Sequence, residues 1–179
     1  MKANIEPLVP ERYYHIYNRG INGEIIFKKD SHYKIFLDKF AFHVVPFIDI
    51  FAYCLMSNHF HFLIRIKSEE VIKPEIALKY PGKKIESFEK FLSSQFAHLF
   101  NGYTQIVNKD NRTGGLFESP FRRKEVKSEA YFSNLITYIH QDPQIHGFVD
   151  DFKDYSYSSY WSHLLKRQTK LKRDEVINW

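Results

Sequence analysis

The stretch from residue 49 to residue 66 constrains the fold of this chain more than any other part of its sequence. Two mostly apolar runs, residues 49–56 and 59–66, are separated only by Ser57 and Asn58. Apolar runs of this length joined by two polar residues are typical of antiparallel strands connected by a tight turn. The sequence therefore predicts a β-hairpin at this place.

Strands and helices are also indicated on either side of the hairpin. Residues 13–17 and 122–126 have the composition of strands, and apolar residues at helical spacing predict helices from Asp30 or Ser31, from Ser87 and from Ser128. This order of elements predicts an α+β fold, with a ferredoxin-like antiparallel sheet and helices packed mainly on one face.

Two segments are expected to interrupt this pattern. Residues 68–86 contain two prolines, a glycine and several lysines, and we expect a long surface loop there with at most one helical turn. Pro143 and Gly147 are expected to end the last helix.

Composition limits the class of protein. The 179 residues, 44% of them hydrophobic, predict a single domain over residues 1–179, with residues 151–179 as a C-terminal tail. The sequence contains no apolar run long enough to cross a membrane and no apolar signal segment near Met1, so we expect no membrane partner. The single cysteine, Cys54, excludes an internal disulfide and a multi-cysteine zinc site, which favours a cytoplasmic location.

The hairpin contains two histidines that can act together. Side chains alternate between the two faces of a strand, so His59 and His61 point to one face, and Phe60 and Phe62 point to the other face and the core. Two imidazoles on one face, about 7 Å apart, can chelate one metal ion. We expect both to lie on the open side of the sheet, where replacing either costs little stability. By itself the spacing is more often accidental.

A second candidate pair lies on the last predicted helix. Tyr138 and Asp142 are four residues apart, which stacks them on one helical face. The alternative for Tyr138 is an ordinary boundary tyrosine with a hydrated hydroxyl. The alternative for Asp142, which precedes Pro143, is a carboxylate that only caps the helix end.

The net charge of +5 makes polyanions plausible partners, and its distribution is uneven. Arg122, Arg123 and Lys124 lie beside Phe117 and Phe121, which together offer phosphate contacts and stacking surfaces for single-stranded nucleic acid. An edge strand protected by charge is nearly as good an explanation of this cluster.

Taken together, the segments resemble a known family. The sequence is similar to the IS200-like single-tyrosine HUH transposases, especially the REP-associated tyrosine transposase branch. The matching stretches lie between about residues 12 and 161, in the family's order, and they are residues 14–20, 52–61, 112–117, 138–143 and 154–160.

The resemblance implies roles for particular residues. Tyr138 is the implied nucleophile, and His59 and His61 are the implied metal ligands. The family uses a polar residue four after the tyrosine as a third ligand, commonly Asn or Gln, and here that position is Asp142. A carboxylate favours Mg²⁺ or Mn²⁺.

The implied partner is single-stranded or hairpin DNA. Arg19, in the first matching stretch, joins Arg122, Arg123 and Lys124 as an expected DNA contact. The implied reaction is attack of the tyrosine on a phosphodiester, which leaves a 5′-phosphotyrosine bond and a free 3′-OH.

Two other functions stay open at this point. One is a domesticated, non-cleaving protein that binds DNA hairpins, and the other is a metal-dependent nuclease that uses water as its nucleophile. We also expect a monomer with Tyr138 and His59 meeting in one chain, because the aromatic segment 154–160, followed by Trp161, can pack back on the surface that a dimer uses. A loosely attached tail and a homodimer are the alternatives.

Overall fold

A four-stranded antiparallel sheet is the centre of the molecule. The computed structural model describes residues 5–177. The strands are β1 (Tyr13–Arg19), β2 (Ile48–Met56), β3 (His59–Ile66) and β4 (Arg122–Val126). They lie in the order β2-β3-β1-β4, and all three neighbouring pairs are antiparallel. The predicted hairpin is the pair of β2 and β3, so it occupies one half of the sheet.

Helices cover both faces of this sheet. They are α1 (Asp30–His43), α2 (Glu69–Lys79), α3 (Phe88–Asn108), α4 (Glu129–Ile145), α5 (Tyr160–Leu164) and α6 (Arg173–Ile177). The larger core joins α1, α2 and α3 to one face, and a smaller core joins α4 to the other. The predicted α+β, ferredoxin-like fold is confirmed.

The alternation of side chains along β3 explains the two cores. Phe60 and Phe62 point into the larger core, where Phe62 stacks on Phe40 of α1 with ring centroids 4.2 Å apart. Leu63 points the other way and packs with Ile139 of α4. The face that carries His59 and His61 is therefore the face that α4 covers.

The prediction for residues 68–86 was wrong over most of its length. Residues Glu69–Lys79 form α2, with Pro74 inside the helix. Ile72 and Ile76 are buried in the larger core, and their burial offsets the backbone hydrogen bond that a proline removes.

The residues that follow α4 pack along the free edge of β2. The Leu55 N–H donates to the Tyr157 carbonyl at 2.9 Å, the Ser159 N–H donates to the Tyr53 carbonyl at 2.9 Å, and the Lys172 N–H donates to the Ile50 carbonyl at 2.8 Å. These bonds occupy backbone groups that an edge strand otherwise exposes. Among the described residues, no helix has both the length and the apolar character needed to cross a membrane.

We expect Ser159→Ala to destabilise the protein by about 1–3 kcal/mol, since it leaves a buried donor without a partner. The fully buried Ser159 hydroxyl accepts the Tyr53 N–H at 2.9 Å and lies 2.8 Å from Nε2 of His140. Urea unfolding measures the loss, with the exposed Ser133→Ala on α4 as the matched control. Equal unfolding midpoints for both variants contradict this account of the edge.

Candidate active site

The two histidines of β3 lie under helix α4. His59 and His61 share a face, as predicted, and their ring centroids are 5.4 Å apart. The expectation that both lie on an open side was wrong, because α4 covers it: the His61 side chain is only 9% exposed and that of His59 17%. Burial lowers the pKa of His61, against the opposing effect of Asp142, so this imidazole is neutral at neutral pH.

Helix α4 brings Asp142 to both imidazoles. Its Oδ2 atom lies 3.3 Å from Nε2 of His59 and 3.3 Å from Nε2 of His61, and its side chain is 0% exposed. Burial raises the pKa of Asp142, but hydrogen bonds with the two histidines outweigh burial and hold that pKa well below its usual range. The carboxylate is therefore charged, and it does more than end the helix.

The outer nitrogens of the two histidines also have partners. Nδ1 of His59 lies 2.7 Å from Oδ1 of Asn58, and Nδ1 of His61 lies 2.8 Å from Nε2 of His15. Burial, with a smaller effect of His61, lowers the pKa of His15 to about 3, so His15 is neutral. An amide oxygen only accepts, so Nδ1 of His59 donates to Asn58, and its Nε2 faces the carboxylate of Asp142.

Tyr138 stands at the edge of the same cluster. Its ring meets the ring of His61 edge-on, with centroids 5.6 Å apart, and the residue is 39% exposed. Burial and the neighbouring Asp142 raise the pKa of Tyr138 to about 12, so the phenol keeps its proton at neutral pH. The four-residue spacing from the sequence places both side chains on one face of α4, and the structure brings that face to the histidines.

A third histidine at this cluster was not predicted. His146 follows α4, and its Nε2 atom lies 3.3 Å from Oδ1 of Asp142. The helix continues through Pro143 to Ile145, so the expectation that Pro143 ends it was wrong. Gly147, with φ +71°, does end it. In the sequence, the spacing of four residues between Asp142 and His146 indicates a shared helical face. This indication holds only if the helix continues beyond Pro143.

A cleft of about 530 Å³ opens above these groups. Across the sheet, Tyr17 pairs with His61 on one side and with Arg122 on the other, and Arg19 pairs with His59. Tyr17, Arg19 and Arg122 therefore line the cleft together with Tyr138 and the three histidines, and Phe148 adds a half-exposed ring. The cleft combines cationic and aromatic groups with side chains of the types that can bind a metal ion.

The arginines at the rim share one carboxylate. Nε of Arg19 contacts Oε1 of Glu118 at 2.5 Å, and Arg122 lies 3.5 Å from the other oxygen of the same carboxylate. Both guanidinium groups are more than half exposed. Exposed ion pairs contribute little to stability, so a phosphate can replace Glu118 at little cost.

The rest of the basic cluster divides between the two faces of β4. Lys124 is exposed on the α4 face, where its Nζ lies 5.0 Å from the ring centroid of Tyr131. Arg123 points to the opposite face, where its side chain is 6% exposed and donates to the Ser93 hydroxyl at 2.6 Å. The alternation of a strand separates them, and the expected DNA contact of Arg123 is corrected to a structural role against α3.

The fold and the cluster together resemble those of one class of protein. A four-stranded antiparallel sheet with a His-x-His pair on one strand, facing a helix that carries a tyrosine, is the arrangement expected of single-tyrosine HUH proteins. Comparison with known proteins tests the resemblance to the REP-associated tyrosine transposases. No family model matches the sequence.

One curated relative is a "Putative REP-associated tyrosine transposase" of Haemophilus influenzae. It is 23% identical over 133 residues, which are 73% of this chain and 65% of the relative, so the match spans just under two thirds of the relative's length. A solved structure of a REP-associated tyrosine transposase bound to a REP hairpin superposes with a TM-score of 0.71 at 12% identity, over 93% of this chain and 87% of that one.

The solved structure shows the fold, and the curated relative carries the name of the same branch. The predicted resemblance of this chain to the REP-associated tyrosine transposases is confirmed.

Proposed function

We propose that this chain is a metal-dependent single-strand DNA endonuclease and strand transferase that forms a 5′-phosphotyrosine intermediate on Tyr138. The observation that carries the proposal is the position of Tyr138, whose ring meets His61 edge-on at the mouth of the histidine and carboxylate cluster. A purely structural role at the helix boundary does not explain why Tyr138 lies beside the histidine and carboxylate cluster.

The residues present fit a divalent metal ion. Nε2 of His59 and Nε2 of His61 both lie 3.3 Å from Oδ2 of Asp142, so two imidazoles and a carboxylate converge on one point. Oδ1 of Asp142 is buried and has no hydrogen-bond partner. Both features are explained if His59, His61 and Asp142 hold a metal.

A bound Mg²⁺ or Mn²⁺ supplies Lewis-acid polarisation of the scissile phosphate. The remaining steps use a side chain of the protein itself, Tyr138. Oη of Tyr138 attacks phosphorus, the P–O3′ bond breaks, and the phenolic proton ends on the departing 3′ oxygen. Since burial keeps the phenol protonated, the proton leaves only as the new bond forms. The phosphotyrosine bond lets a 3′-OH reverse the attack and rejoin strands.

The cleft residues suit a single strand or a hairpin end as substrate. Arg19 and Arg122 are placed to contact phosphates, and the half-exposed rings of Tyr17 and Phe148 offer stacking surfaces for unpaired bases. Lys124 lies on the same face and extends the positive surface. The related structure contains a REP hairpin, and we propose hairpin DNA as the partner of this chain as well.

The test of the proposed function is a covalent-adduct assay with a labelled single-stranded oligonucleotide and Mn²⁺. A labelled protein band on a denaturing gel supports it. Cleavage without a labelled band favours the metal-dependent nuclease that uses water, and tight hairpin binding without cleavage favours the non-cleaving binding protein.

We also propose that the active site is complete within one chain. Tyr138 and His61 already meet in a single copy, and residues 155–172 bond along the edge of β2 that another copy needs for sheet extension. A mixture of Tyr138→Phe and His59→Ala chains is therefore expected to stay inactive in the adduct assay. Restored adduct in the mixture means that two copies share a site, and the monomer proposal then fails. Light scattering of the wild-type protein provides the independent control.

A further inference from the structure

His146 offers the same cluster a donor that the implied site lacks. Its Nε2 atom lies 3.3 Å from Oδ1 of Asp142, and its ring centroid lies 5.2 Å from that of His59. The candidate ligand atoms of His59, Asp142 and His146 are all within 4.8 Å of one another. Ligands about 2.1 Å from one ion lie about 3–4 Å apart, so the close contacts here already approach that spacing.

One buried oxygen of this cluster, Oδ1 of Asp142, lacks a hydrogen-bond partner. The Asp142 side chain is 0% exposed, and Oδ2 is shared by two imidazoles, while Oδ1 has no hydrogen-bond partner. The contact of Oδ1 with His146 has a suitable length but lacks hydrogen-bond geometry. A buried carboxylate oxygen without a partner is costly, and a cation next to Oδ1 and His146 removes that cost.

The end of helix α4 fixes His146 in this place. The His146 N–H donates to the Asp142 carbonyl at 3.0 Å, and Gly147 then turns the chain with φ +71°. The Phe148 N–H donates to the Pro143 carbonyl at 2.8 Å, which closes the turn. His146 is thus held over Asp142 by backbone hydrogen bonds, although half of its side chain is exposed.

We propose that His146 is a fourth protein ligand, which makes the site a three-imidazole, one-carboxylate centre that prefers transition-metal ions such as Mn²⁺ and Co²⁺ to Mg²⁺. Imidazole nitrogen suits transition metals, whereas Mg²⁺ takes oxygen ligands and keeps several waters. The inference rests on the proposed metal site but not on the proposed cleavage reaction. It distinguishes between the two ions of the proposed function, because it favours Mn²⁺ over Mg²⁺.

The test compares wild type, His146→Ala and His146→Gln for binding of Mn²⁺, Co²⁺ and Mg²⁺ by titration calorimetry, together with the visible absorption spectrum of the Co²⁺ form. We expect His146→Ala to weaken Mn²⁺ and Co²⁺ binding by about tenfold or more, to change the Co²⁺ spectrum and to leave the weak Mg²⁺ binding unchanged. His146→Gln is expected to lose Co²⁺ affinity too, because it replaces nitrogen with oxygen. His98→Ala, an exposed histidine on α3, is the matched control.

Two results overturn the inference: Co²⁺ affinity and spectrum that are the same in wild type and in both His146 variants, or wild-type binding of Mg²⁺ as tight as that of Mn²⁺. Thermal melting of each variant shows that it is folded. The adduct assay on the wild-type protein distinguishes failure of the His146 inference from failure of the proposed function. If binding depends on His146 but no adduct forms, the inference stands and the proposed function fails.

Discussion

Tyr138→Phe is expected to abolish covalent attachment of the protein to single-stranded DNA, with a loss on the order of 10³-fold or more. The substitution removes only the attacking oxygen. The ring keeps its edge-on contact with His61, so fold and DNA affinity are expected to persist. The adduct is measured on denaturing gels with an oligonucleotide labelled on the 3′ side of the cleavage position, and DNA affinity is measured by fluorescence anisotropy.

Tyr131→Phe is the matched control for this prediction. Tyr131 lies on the same helix, and its ring contacts Lys124 instead of the histidine cluster. The control is expected to form adduct at the wild-type rate. An undiminished adduct in Tyr138→Phe shows that another residue attacks, with Tyr131 on the same helix and Tyr17 in the same cleft as the first candidates.

His59→Ala and His61→Ala are each expected to abolish cleavage, because each change removes an imidazole that is proposed to hold and position the metal beside Asp142. Their effects on stability are expected to differ. Loss of His61 removes the buried partner of His15 and is expected to cost about 1–3 kcal/mol, whereas His59 is more exposed and costs less. Cleavage and urea unfolding are measured on the same preparations.

Full cleavage by either alanine variant contradicts the proposed role of the histidines. Equal loss of stability in the two variants contradicts the burial argument. His98→Ala again provides the control, since this exposed histidine lies on α3, on the other side of the sheet.

Much of the site follows from two periodicities that can be found in the sequence. The period of two along β3 places His59 and His61 together, and the spacing of four along α4 places Tyr138 and Asp142 together. The same strand alternation separates Arg123 from Arg122 and Lys124, so that correction was available from the sequence once β4 was recognised.

Other parts needed tertiary structure. The sequence predicts a helix end at Pro143 and a loop around Pro74, but α4 and α2 continue through both prolines. The sequence therefore predicted neither the burial of Ile72 and Ile76 on α2 nor the position of His146 after α4. Burial of Ile72 and Ile76 stabilises α2, and local propensity does not report burial.

The pairing of β1 with β3 was the other information that the sequence lacked. It places His15 next to His61 and Tyr17 between His61 and Arg122. Contacts between strands distant in sequence depend on register, which is set by the whole sheet. The hydrogen-bond partner of His61 could for this reason not be predicted from the motif alone.

Mapping the covalent adduct tests the central claim most directly. Trypsin cleaves after Lys127 and Lys153, so Tyr131 and Tyr138 lie in one fragment, residues 128–153. Fragmentation of this peptide by mass spectrometry, after reaction with a single-stranded oligonucleotide and Mn²⁺ and digestion of the DNA, locates the nucleotide. We predict a nucleotide joined through its 5′-phosphate to Oη of Tyr138. Cleaved DNA with no modified peptide, or a nucleotide on Tyr131, contradicts the account.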